Sequence, residues 1–262
     1  MTRLLFVLIF LAGLIAASTL WLTAPAALAA DVCADSAGNA LGIAAAGDTD
    51  NFACGPQTYA NGNESVALGS RVGSLSNGEG NVAVGSVTGG FVSGDHNTAL
   101  GNGTGGMIVG DNNTAVGHGA GNNIDGGNNT AVGVQSGGNV TGWSNIAVGS
   151  AAGDAVDGSY NSATGATAGR DVTGDFNMAS GTNSGQSVTG SYNTASGAEA
   201  GRDVTGDRNA AGGAFAGGRV NGDHNTATGN SAGSEVTGDR NTASGAYAGR
   251  FINGNNNTAT GN

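Results

Sequence analysis

Lysine is absent from this 262-residue chain; all eight of its cations are arginine, set against 19 Asp and Glu for a net charge of −11. An acidic chain without lysine cannot build the cationic footprint that a phosphate backbone requires, which excludes nucleic acid as a partner. Proline occurs only twice, and glycine does not fall at every third position, so a collagen triple helix is excluded. Charged residues make up only 10% of the chain beside 38% hydrophobic ones, which is not the composition of a disordered segment. Aromatic residues are also scarce, at 5%, too few for an ordinary core of large side chains. Cysteine appears only at Cys33 and Cys54, without the Cys-x-x-Cys spacing of metal or redox sites. What the chain has in excess is glycine: 52 residues, nearly three times the ordinary usage of about 7%.

Residues 1–30 carry a single charge, Arg3, ahead of an uncharged stretch from Leu4 to Ala30. The stretch ends in Pro25 and Ala27-Leu28-Ala29, a small-residue cleavage pattern, and is read as a secretory signal peptide. An uncleaved anchor is the alternative, because the apolar run approaches the ~20 residues that span a bilayer. Cleavage would remove one of the eight arginines and no acid, leaving 7 against 19, or −12, and no membrane span in the mature chain. In an exported chain, the even pair Cys33 and Cys54 reads as one disulfide.

The string Asn-Thr-Ala-x-Gly recurs every 16 residues. Its first residue is Asn81, Asn97, Asn113, Asn129, Asn145, Asn161, Asn177, Asn193, Asn209, Asn225, Asn241 and Asn257, with an earlier copy at Ser65. No insertion breaks the register over 65–262. Within each unit the third position is always Ala, and the fifth, ninth and fourteenth are always Gly. The twelfth is Val or Ile in eleven of twelve full units, with Ser76 the exception.

Three fixed glycines per unit would cost a helix about 3 kcal/mol relative to alanine, so helix is excluded. The pattern predicts an all-β, parallel β-solenoid of about twelve 16-residue coils, cornered at glycines that reach φ > 0 without a Cβ clash. Coils stacked at ~4.8 Å would give a rod of roughly 55–60 Å. Residues 31–64, with Phe52 and Tyr59, are expected to cap the first coil. Strand alternation puts Asn, Ala and Gly of the string on one face and the second and fourth positions on the other. The latter are apolar early (Val66/Leu68, Val82/Val84, Ile146/Val148) and hydroxylated later (Thr194/Ser196, Thr226/Thr228, Thr258/Thr260). Alanine is placed inside, because buried Thr/Ser pairs would need hydrogen-bond partners; the converse, alanine lining a subunit axis, stays open.

At Ser65-Val66-Ala67-Leu68-Gly69 and Asn81-Val82-Ala83-Val84-Gly85 the chain resembles the head repeats of YadA-like trimeric autotransporter adhesins. The resemblance covers 65–262. It implies a left-handed β-roll that forms a homotrimer at the cell surface, on the outer membrane or in the extracellular space, and attaches to an unidentified host or matrix component. No heptad run or alternating ten-residue segments offer the stalk and membrane barrel of such adhesins, so a truncated or split passenger, or a released relative, is expected. The later Thr-x-Thr pairs resemble ice-binding solenoids, which gives the alternative of an ice- or polysaccharide-binding solenoid without catalytic activity.

No catalytic constellation is expected. His96 and His224 share a column eight coils apart, about 38 Å at strand spacing, and His118 lies in another, so the three read as solvated turn residues. The fifteenth position is acidic at Glu79, Asp95, Asp111, Asp175, Asp207, Asp223 and Asp239. Asp favours turns, and stacked acids limit edge aggregation. A Ca²⁺ ladder is the weaker reading, because the Gly-Gly-x-Gly-x-Asp motif is missing; no cofactor is otherwise expected. Asp48-Thr49-Asp50 reads as a solvated loop.

Overall fold

The computed structural model describes residues 31–32, 43–44, 50–73 and 77–261. The expected signal peptide, Cys33, Asp48 and Ser76 lie outside the described residues. Among those described there is no helix; every element is a short strand in a parallel pairing. A 15-stranded sheet collects the Thr-Ala-x segments and an 11-stranded sheet the Val-Thr segments, with a small pair at Ile43–Ala44 and Tyr59–Ala60. The chain is a β-solenoid in which each unit winds once and lays both its strands on those of the unit before.

The register is the sequence period. Val82 pairs with Thr98, Ala115 with Ala131 and Ala243 with Ala259, each 16 residues on. The second sheet keeps the same step, as in Val172 with Val188. The structure moves the start of the winding, however. Phe52–Cys54 already pairs with Val66–Ser70, and Phe52 meets Val66 only 14 residues on. Residues 51–64, expected to belong to a cap, form a shortened turn: Ala53 and Thr58 are fully buried, and Asn51 stands first in the asparagine column.

Small side chains fill the interior. The alanine column is buried from Ala53 to Ala243, and faces the Val/Ile column from Val92 to Ile252. The eighth position is buried too, held by Val72 in the first unit and by Ala, Thr or Ser in the others. Its hydroxyls donate to glycine carbonyls, as Thr58 Oγ1 does to Gly69 at 2.8 Å and Ser184 Oγ to Gly181 at 2.8 Å. Between the two apolar columns runs a thin seam of about 40 Å³. A coil this narrow explains why large residues are scarce, since a column of Ala facing a column of Val and Ile already closes it.

Glycine is fixed where nothing else fits. Gly158, at the fourteenth position, has φ +145°, and a Cβ there would stand 2.1 Å from the carbonyl oxygen of Gly174 in the next coil. Gly153, at the ninth, is left-handed at φ +56° and faces inward, where a Cβ would meet that of Ala147 at 2.7 Å. The seventh and sixteenth positions are also left-handed but point outward. They accept Ala151 (φ 52°), Tyr160 (φ 60°), Arg240 (φ 56°) and others.

Candidate functional site

The asparagines predicted as a repeat ladder come together as one. Asn145 Oδ1 accepts the backbone N–H of Asn161 at 2.9 Å, and its Nδ2 donates to the Gly158 carbonyl at 2.8 Å and to Asn129 Oδ1 at 3.1 Å. The bond to the next backbone N–H repeats from Asn81 to Asn241, all of them buried, and the bond to a glycine carbonyl from Asn81 to Asn209. From Asn81 to Asn209 each amide thus satisfies a corner N–H and a corner carbonyl that the strands leave unpaired. This column is a structural spine, closed to any ligand. Among the described residues no buried side-chain nitrogen or oxygen lacks a partner.

With alanine inside, the second and fourth positions form the outer face of the first sheet. No charged residue occupies either position in any unit from Val66 to Thr260. The face is half-buried and apolar at Val66, Leu68, Val82 and Val84, and openly apolar at Ile146 (46% exposed) and Val148. From Thr194 onward it is exposed, and the hydroxyls of Thr194, Thr226, Thr242 and Thr258 make no hydrogen bond to described residues. Met178 and the Ala210/Gly212 pair interrupt the hydroxyl rows.

The acidic column has a structural use. Asp111 Oδ1 accepts the N–H of Asp95 at 2.9 Å, Asp223 Oδ1 that of Asp207 at 2.8 Å, and Asp239 Oδ1 that of Asp223 at 2.9 Å. Asn255 does the same for Asp239 at 2.7 Å, and Ser191 Oγ for Asp175 at 3.0 Å. The column therefore selects a short acceptor that reaches back one coil, and Asp, Asn and Ser all serve. Like charges stand one strand apart, but each also meets an N–H dipole. Among the described residues no three His, Cys, Asp or Glu side chains converge as a metal site. His96, His118 and His224 are exposed, and the first and last sit at left-handed corners. Arg202 pairs with Glu199 at 3.1 Å and Arg170 with Asp171 at 3.4 Å, both on the surface, where such pairs add little stability.

The sixteenth column carries a feature that no single unit shows. Tyr160, Phe176 and Tyr192 occupy consecutive coils, their rings stacked 4.8 and 4.9 Å apart and within 7° of parallel. The guanidinium of Arg208 lies 5.4 Å from the Tyr192 ring centroid. The 16-residue recurrence of Tyr, Phe, Tyr and Arg was the available signal. On the opposite corner, Asn122, Asn123, Gln135, Asn139 and Asp154 rim a shallow polar depression of about 330 Å³, opened by the missing side chains of Gly119 and Gly138.

No protein-family model matches the chain, and no curated protein matches it.

Proposed function

We propose that this chain is an exported, non-catalytic attachment protein of the cell surface, outer membrane or extracellular space, built like a trimeric adhesin head and acting as a homotrimer. The observation that carries the reading is the outer face of the first sheet, which is uncharged from Val66 to Thr260. A chain of net charge −11 repels its own copies, so copies can pack side by side only through a surface without charge. The apolar rows of the first six units offer that surface: an extended apolar patch of this kind marks an interaction face. The adhesin-like string is strongest in the same units. The left-handed winding and the attachment target belong to this reading.

Export brings the Cys33–Cys54 disulfide with it. Parallel pairing of Asp31 with Phe52 and of Val32 with Ala53 supports the link, because the next residues in the two segments are Cys33 and Cys54. Strands ~4.8 Å apart fall within the Cα separation of disulfides. Among the described residues no helix is long and apolar enough to cross a membrane.

Light scattering on the purified chain tests the reading: three times the mass of one chain is expected, and a strict monomer overturns it. A second reading, binding of ice or a hydrated polysaccharide surface, is favoured by the unpartnered hydroxyl rows from Thr194 to Thr260. Thermal hysteresis in solution is its test, and the absence of hysteresis removes the ice form.

A further inference from the structure

The aromatic stack is finished at one end and open at the other. Its three rings stand on left-handed backbone (φ 57–61°), a conformation that costs a non-glycine residue roughly 1–2 kcal/mol. Each stacked pair returns about 0.5–1.5 kcal/mol. Arg208 covers the outer face of Tyr192, whereas the outer face of Tyr160 turns toward the coil that carries Ser144, a side chain too small to cover it. Tyr160 is accordingly the most exposed of the three, at 55%.

The surroundings of that open face differ from the rest of the corner. Trp143, 52% exposed, lies beside Ser144, and its indole rests on Gly127, where a Cβ would meet Cζ3 at 2.5 Å. Tyr160 donates its N–H to the Trp143 carbonyl at 2.8 Å, which fixes the two aromatic residues on neighbouring coils. One coil further back the exposed side-chain amide of Asn128 makes no hydrogen bond to described residues. The acidic column is interrupted over this stretch: Gly127, Trp143 and Ser159 stand between Asp111 and Asp175. The corner positions around Ser144 are therefore neutral in a strongly acidic chain.

We infer that the notch formed by Trp143, Ser144 and Tyr160 binds one pyranose ring of a neutral glycan. Column neighbours repeat at ~4.8 Å, so the gap over Ser144 is one ring thick, between the Tyr160 face and the Asn128 amide. A pyranose offers C–H groups to the electron-rich face of Tyr160, and Trp143 supplies a second aromatic surface with a polar edge. Asn128 and Ser144 both donate and accept, which matches sugar hydroxyls. Neither corner column places a cation between Asn128 and Tyr160, so an anionic sugar finds no counter-charge. The notch lies within one chain and needs no second copy; a monomeric mass would overturn the trimer and leave this site standing.

Calorimetric titration of the full chain with cellohexaose and with chitohexaose tests the inference. Saturable binding of at least one of them is expected, with a shift in the fluorescence of Trp143; the other tryptophan, Trp21, belongs to the expected leader. Ser144→Tyr continues the ring stack through the notch and should abolish binding. Tyr160→Ala should weaken it roughly tenfold. Tyr192→Ala, at the far end of the stack, should leave the affinity unchanged and reports on folding. Failure of both oligosaccharides to bind, or an unchanged affinity in Ser144→Tyr, overturns the site.

Discussion

At the residue scale, the repeat separates positions that need glycine from positions that merely take its conformation. Gly158→Ala places a Cβ against a backbone carbonyl at a φ closed to side chains, and should cost about 3–5 kcal/mol in chemical denaturation. Ala151→Gly, at an outward left-handed corner, relieves strain but frees the unfolded chain, and the same measurement should show a change below about 1 kcal/mol. Asn145→Ala leaves the N–H of Asn161 and the carbonyl of Gly158 without partners inside the protein. At about 1–3 kcal/mol for each unsatisfied group, the loss should be about 2–6 kcal/mol. The invariant glycines were legible in the sequence because geometry allows no other residue there. The left-handed seventh and sixteenth columns were not, because an outward side chain leaves no trace on composition when every residue type is tolerated.

At the element scale, each coil is held by ladders: parallel backbone bonds, the asparagine spine and the acceptor column at the fifteenth position. Because Asn255 already replaces an acid in that column, Asp223→Asn should keep the bond to Asp207 N–H and remove like-charge contact with Asp207 and Asp239. Thermal unfolding should show a melting temperature equal to or above that of the parent. Asp223→Ala, which removes the acceptor, should lower stability by about 0.5–1.5 kcal/mol. The 16-residue coil was readable because the period never slips after Ser65. The turn at 51–64 was hidden by its length: it is two residues short, and the ninth-position glycine that marks every other unit is lost with them. The aromatic stack went unseen for a related reason, since a column that holds His, Asn, Ser, Tyr, Phe and Arg looks like variation until its neighbours are read 16 residues apart.

At the scale of the whole molecule, the two broad faces differ. From Val66 to Thr260 the outer face of the first sheet is uncharged, and it is apolar in its first half, whereas the strands of the second carry Asp125, Asp157, Arg219 and Glu235. Association of copies should therefore use the first sheet. Val84→Asp, on a half-buried outward position of that sheet, should reduce the proposed trimer to monomers without altering the β-sheet signal in circular dichroism. Light scattering on the variant checks this, and an unchanged mass would move the contact elsewhere. The winding itself underlies every one of these expectations. Spin labels at Thr114 and Thr242, equivalent outward positions eight coils apart, measure it directly when labelled chains are diluted with unlabelled ones. The solenoid predicts a single separation near ~38 Å that grows by ~4.8 Å with each further coil placed between the labels. A separation that fails to grow in proportion to the number of units would contradict it.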